Sequence, residues 1–233
     1  MTDLLWAPHA YVCRTPHHVV LLDLRRDKYF ALDEGQAQAI GTLFPQLGSN
    51  DSTANLTRDA ANTLVADLVR EGLLTKDPTV GRPLARLDMQ RPTRALADEY
   101  LHTEIPIRAH HVLRFLASYV WCLLAKKHLT IESLIGKIQQ RNRCSIGRSS
   151  SDQARQLSTV FERLRPWFYV GKDACLFDSL MLIHFLSSYR ITATWIFGVK
   201  TAPFAAHCWV QQGDVVLNDI PDTVCRYTPI MTV

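Results

Sequence analysis

Three residues in the last sixty positions have the types and spacing for nucleophilic acyl chemistry. Cys175 follows Lys172-Asp173-Ala174 and precedes Leu176, Leu180, Ile183 and Leu186, which recur at helical spacing. Asp173 reads as the N-cap of that helix, so the thiol falls in its first turn with the leucines and isoleucine on the core-facing side. Thiolate is the nucleophilic form of cysteine, and the partial positive charge at a helix start favours it. His207 lies 32 positions on, and Asp219 a further 12. In that trio His207 takes the thiol proton and later gives it to a leaving amine. Asp219 fixes the imidazole tautomer and stabilises its charged form. The bland reading of Cys175, a small buried hydrophobe, is the usual fate of a cysteine.

The elements that must position the trio impose a condition. Residues 194–199 read as a strand, 200–206 as a loop, 207–211 as a second strand and 215–219 as a third. If Gln212-Gly213-Asp214 forms a three-residue connection, His207 falls opposite Asp219 on one face, about 5 Å apart at Cβ. A two-residue connection instead puts Asp219 opposite Cys208, with its carboxylate on the other face. The catalytic reading therefore expects the three-residue register.

Rival groups fit less well. His184, nine positions after Cys175 on the same helix, is rotated by about 180° and points away. The adjacent pairs His17-His18 and His110-His111 are expected to diverge, and no neighbouring ligands argue for a metal. Asp178, three positions after Cys175, would raise the thiol pKa if close, so it is expected to turn toward solvent. The Cys175 amide is a natural oxyanion donor, whereas a second donor cannot be chosen; Tyr169 and Trp209 are wall or donor candidates, each more often plain packing.

The rest of the chain reads as α+β. Tyr11 to Arg14, Val19 to Leu24 and Lys28 to Leu32 form a three-stranded meander. A helix capped by Asp33 runs to about Phe44, and another from about Thr57 to Arg70 is stopped by Gly72. These make a small winged-helix-like unit over residues 1–83. Residues 84–107 read as linker plus a short helix, and 108–233 as the domain carrying the chemistry. A helix over 108–128 has apolar residues on more than one stripe and is expected to be mostly buried. Its apolar run between Arg114 and Lys126 is eleven residues, short of the roughly 18 to 20 a membrane span needs. Ser150-Ser151-Asp152-Gln153 opens a further helix to about Leu164.

Composition fits a folded domain: of 233 residues, 47% are hydrophobic and 21% charged, which excludes collagen-like, coiled-coil and wholly disordered chains. The net charge of +4 is unevenly spread. Residues 1–83 hold eight Lys/Arg against ten Asp/Glu, 84–150 eleven against five, and 151–233 seven against seven. The six cysteines (13, 122, 144, 175, 208, 225) show no metal-ligand spacing and read as independent thiols. The N-terminal residues lack the pattern of a secretory signal, so a reducing cytoplasm is the expected setting.

Cys175-Leu176, Phe197-Gly198-Val199-Lys200, Pro203-Phe204-Ala205-Ala206-His207-Cys208-Trp209-Val210 and Val216-Leu217-Asn218-Asp219 together resemble the lasso peptide biosynthesis B proteins, maturation peptidases of the microcin J25 type. The likeness covers about residues 166–220. It implies a fold similar to transglutaminase and papain-like enzymes, in which a helix bearing Cys packs on an antiparallel sheet bearing His and Asp. Cys208 departs from the small Ala or Ser more usual there, without touching the trio. More weakly, residues 1–83, with Lys28-Tyr29-Phe30-Ala31-Leu32-Asp33, resemble the precursor-recognition element typified by the coenzyme PQQ synthesis protein D.

The resemblance implies a cysteine peptidase that removes the leader from a ribosomally made lasso precursor, with Cys175, His207 and Asp219 as its triad. The leader would add as a strand beside Tyr29, Phe30, Leu64 and Leu68. It also implies a partner, an ATP-dependent asparagine-synthetase-like cyclase. Whether cleavage itself needs ATP is left open, and no phosphate-binding loop is visible in the sequence. A DNA-reading role for the first unit fits poorly with its acidic balance. The other readings are a transglutaminase-type acyl transferase using the same trio and a non-catalytic leader-binding adaptor.

Overall fold

The computed structural model describes residues 4–48, 58–84, 87, 89–96, 105–144, 151–168 and 175–233. The chain divides into two compact units, Met1–Leu87 with Val199–Ala205, and Asp88–Gly198 with Ala206–Val233.

In the first unit, β1 (Leu5–Trp6) precedes the meander β2 (Ala10–Arg14), β3 (Val19–Asp23) and β4 (Lys28–Leu32). The meander is antiparallel in the order β2-β3-β4, with Val12 opposite Leu21 and Leu21 opposite Phe30. Its turns are built from side chains short enough to bond nearby backbone. Thr15 Oγ1 donates to the His18 carbonyl, and Asp23 Oδ1 accepts from the amides of Arg25 and Arg26. Asp33 caps α1 (Glu34–Leu43) in a reciprocal capping box with Gln36. α2 (Arg58–Arg70) follows, and Gly72, at φ +74°, lets the chain turn back into β5 (Leu74–Thr75). β5 pairs with β1, a ribbon that two-residue strands do not announce in sequence. The core gathers Trp6, Val19, Leu21, Ile40, Leu64, Leu68 and Leu74.

The second unit begins within the expected linker. β6 (Arg94–Ala95) pairs in parallel with a strand near the C-terminus, so part of 84–107 is sheet. Then come α3 (Ala109–His128), α4 (Ile131–Cys144), α5 (Ser151–Leu164) and α6 (Cys175–Ser187). They are followed by β7 (Thr194–Thr201), β8 (Phe204–Gln212), β9 (Val215–Val216), α7 (Pro221–Val224) and β10 (Thr228–Thr232). The sheet order is β10-β7-β8-β9-β6. Helices α3, α4 and α5 pack on α6, and Phe115, Phe161 and Phe185 meet there with ring centroids 5.4 to 6.2 Å apart. Among the described residues no helix is long and apolar enough to cross a membrane.

α3 departs from the expectation that it be mostly buried. Phe115, Ser118, Cys122 and Ala125 are buried, while Leu113, Val120, Leu123 and Leu124 are 46 to 67% exposed. Positions 113, 120 and 124 share one face of a 3.6-residue helix, opposite 115, 118 and 122. Only the latter face receives α5 and α6.

A second apolar cluster on the sheet consists of Ile196, Trp209, Val216 and Val224, with Tyr227 against it. Gly198 makes this packing possible, because a Cβ there would lie 2.9 Å from Trp209 Cζ3 and 2.9 Å from Tyr227 Cβ. Gly198→Ala is expected to cost about 1–3 kcal/mol by overpacking, read as a lower urea midpoint. An unchanged midpoint would show that the two rings yield freely.

Candidate active site

α6 is buried almost all round, from Asp178 to Phe185 apart from half-buried His184. Leu176, expected to face the core, is 37% exposed. Cys175 is half-buried in the first described turn; the proposed cap Asp173, and Tyr169, lie outside the described residues.

The connection between β8 and β9 is the two-residue Gly213-Asp214, pairing Gln211 with Val216 and Gln212 with Val215. This is the register from which Asp219 was expected to miss His207. Nevertheless His207 Nε2 and Asp219 Oδ2 are 2.6 Å apart. The expectation failed because it assumed a regular ladder through position 219, and β9 stops at Val216. The Leu217 amide still donates to the Val210 carbonyl at 2.8 Å. The Val210 amide, however, donates to Asn218 Oδ1 at 2.8 Å in place of a strand carbonyl. The chain leaves the sheet there, and strand alternation no longer dictates where Asp219 points. Asp219 Oδ1 accepts from the Ile220 amide at 2.7 Å, at the entry to α7.

With Nε2 engaged by Asp219, Nδ1 is the imidazole nitrogen left for Cys175. Hydrogen bonds from the Cys208 side chain and from His207 pull the Cys175 thiol down to about 4 against the opposing effect of burial, helped by the Cys208 backbone. Burial works against charge on His207, yet its bonds to Asp219 and Cys175 push it up to about 9. The resting pair is thus thiolate and imidazolium, the activated form of a nucleophilic cysteine. Cys208 is driven the other way, well above an ordinary thiol, by its bond to Cys175 and by burial. It keeps its proton and donates it. Sequence reading treated Cys208 as inconsequential; its adjacency to His207 was the available signal, but strand alternation argued against a shared partner.

Asp178 does not turn to solvent. It is 7% exposed, and Arg165 Nη1 reaches its Oδ2 at 3.1 Å while Asn218 Nδ2 donates to the same oxygen at 3.2 Å. The helix is packed around this position, so the carboxylate is paired with a cation in place of water. Arg165 also contacts Glu162, 3.2 Å away.

The remaining histidines take structural places. His184 stacks on Trp121 with centroids 4.2 Å apart, its Nδ1 lies 2.9 Å from Ser118 Oγ, and burial lowers its pKa to about 4. The His110 and His111 rings do not diverge: they meet edge to face at 4.2 Å, because His111 turns back to accept the Arg108 amide. His17 and His18 are exposed. Trp209 donates its indole N–H to Gln211 Oε1, so it acts as wall, its ring stacked 6.2 Å from His207. Tyr227 packs 5.1 Å from the same imidazole. Behind these two rings a cavity of about 330 Å³ is lined by Met89, Pro92, Val224 and Cys225. Among the other thiols, burial pushes Cys13 and Cys122 up to about 12. No cluster of three or more His, Cys, Asp or Glu suited to a metal occurs among the described residues.

Of the proposed leader-binding residues, Phe30 lies on the edge strand β4 and is 40% exposed. Tyr29 is half-buried with its ring 5.8 Å from that of Phe204. Leu64 and Leu68 are core residues of the first unit.

Comparison with known proteins matches residues 119–232 to the transglutaminase-like superfamily. The microcin J25-processing protein McjB of Escherichia coli is 43% identical over 53 residues, which is 23% of this chain and 26% of that protein. No solved structure matches. A helix bearing Cys against a sheet bearing His, with the carboxylate supplied where the next strand ends, accords with both. Residues 119–232 thus form a transglutaminase-like domain, and part of the chain is similar to a microcin J25-processing protein.

Proposed function

We propose that the protein is a cysteine peptidase that removes the leader from a lasso peptide precursor. The observation that carries the reading is the Cys175, His207 and Asp219 arrangement, with His207 held at 2.6 Å by Asp219 and bonded to Cys175. Thiolate attack on the scissile carbonyl forms a thioester as the amide C–N bond breaks, and the His207 proton leaves with the amine. Water activated by His207 then releases the leader acid. The resemblance to a microcin J25-processing protein supports a lasso precursor as substrate. The freed amine would pass to an ATP-dependent asparagine-synthetase-like cyclase as partner.

Mass spectrometry of a precursor incubated with the protein tests the reading. A leader fragment and a free core are expected. Loss of one ammonia without cleavage would instead identify a transglutaminase-type transferase, and an unaltered precursor that still binds would identify an adaptor.

Leader capture is assigned to the first unit by strand addition to the edge strand β4, with Phe30 as the exposed anchor. Phe30→Asp in the full chain is expected to weaken leader binding by about tenfold, about 1.4 kcal/mol, in a fluorescence anisotropy titration. Unchanged affinity would move the leader to another surface.

A further inference from the structure

One amide side chain touches a segment of each element that carries the trio. Asn218 Oδ1 accepts from the Val210 amide at 2.8 Å, three positions after His207 on β8. Its Nδ2 donates to Asp178 Oδ2 at 3.2 Å and to Ser179 Oγ at 3.0 Å, one turn after Cys175 on α6. Ser179 Oγ donates onward to the Cys208 carbonyl at 3.2 Å, closing the loop between helix and strand. Asn218 itself immediately precedes Asp219.

We propose that Asn218 is the positioning residue of the site: its side chain ends the β8–β9 ladder so that Asp219 swings onto His207, and it pins that departure point to the helix that carries Cys175. The task calls for this residue type. Oδ1 must replace a strand carbonyl for Val210, while two N–H groups must reach a hydroxyl and a carboxylate, a set of one acceptor and two donors that only a carboxamide offers. Leucine has neither, and aspartate has no donor and would set a second carboxylate against Asp178. Arg165 Nη1, 3.1 Å from Asp178 Oδ2, pairs with the same carboxylate oxygen that accepts from Asn218. The amide oxygen is taken by Val210 and the amide nitrogen by Asp178 and Ser179. A network of this kind fixes a catalytic constellation from behind.

The inference rests on the triad reading for its effect on turnover, but its primary readout is independent of peptidase activity. Iodoacetamide alkylation of the intact chain is followed from pH 3 to 10, and the Cys175 peptide is quantified by mass spectrometry, which separates it from exposed Cys225. The wild type should alkylate with a thiolate profile extending far below an ordinary thiol. Asn218→Ala should move that profile up by about one pH unit, with the rate at pH 4 falling about tenfold. The peptidase kcat should fall at least about tenfold with KM within about twofold. Ser179→Ala, which cuts one of the Asn218 bonds and the onward bond to the Cys208 carbonyl but leaves Asn218 in place, should shift the profile the same way by less. It carries the test if the first variant fails to fold. Superimposable profiles for folded variants would overturn the proposal, as would a wild-type Cys175 that titrates like a free thiol. A shifted profile in a protein that leaves the precursor intact would uphold the positioning role while the peptidase reading fell.

Discussion

Cys175→Ala is expected to abolish precursor cleavage, lowering kcat by about 10⁴-fold or more, while leader binding persists. The magnitude follows from the chemistry: no other described side chain is hydrogen-bonded to His207 in the way Cys175 is, so the covalent route is lost rather than slowed. Cys208 cannot substitute, because it is 3% exposed and its thiol is held protonated. Binding should persist because the proposed leader site is on the edge strand β4 of the first unit. Folding should persist as well, since a half-buried sulfur replaced by hydrogen removes little packed volume. Cleavage by the purified variant at more than about one hundredth of the wild-type rate would sink the thiol mechanism. Loss of both cleavage and leader binding would show that the substitution disturbs more than the nucleophile.

The second large effect is expected of Asp219→Asn, a fall in kcat of about 10²–10⁴-fold with a changed pH profile. Asp219 is hydrogen-bonded to His207 Nε2, and that bond is one of those that hold the imidazolium against the cost of burial. An amide in its place carries no charge and can present N–H to Nε2, leaving the imidazole in the tautomer that faces Cys175 with a proton. In the wild type the Cys175 pKa is depressed, so thiolate is lost only as pH falls through about 4. The His207 pKa is raised, so imidazolium is lost only as pH rises through about 9. The productive pair therefore spans the interval between them. Without Asp219 the alkaline limit should retreat toward the ordinary imidazole value of about 6.5. The acid limit should rise, because a neutral imidazole no longer stabilises the thiolate. A kcat/KM profile of unchanged width in the variant would show that Asp219 does not set the charge of His207.

Cys175, His207 and Asp219 could be singled out in the sequence because the elements that carry them are local in character. A cysteine opening an apolar helical run and a histidine on a strand declare themselves by residue type and period, and the three-stranded meander with Asp33 at its exit declared itself likewise. What was not legible were the places where a side chain overrides a period. The hairpin register correctly excluded Asp219 from the face of His207 only so long as β9 continued, and nothing in Val216-Leu217-Asn218 by itself shows that Asn218 ends the ladder. Asp178 and Cys208 were misjudged for a related reason: their behaviour depends on Arg165 and Cys175, partners far away in sequence. α4 was overlooked although Leu134, Ile135 and Ile138 are buried at helical spacing after a capping Thr130. The exposed face of α3 could not be foreseen, since an apolar helix does not state how many neighbours it will receive.

The strap before α3 also bears on where the chain can be divided. Arg94 grips Asp214 through two nitrogens, at 2.9 and 2.7 Å, and Thr93 Oγ1 adds a bond of 2.6 Å. Those partners hold the Asp214 carboxyl well below the usual range and fasten β6 along the two residues of β9. A truncation placed at residue 107, where composition alone puts the domain border, would discard β6 and bare the hydrogen-bonding edge of β9 next to the segment that delivers Asp219. A cut at residue 88 keeps that edge covered. For anyone isolating the second unit, the boundary between a soluble fragment and one prone to edge-to-edge association lies in those twenty residues.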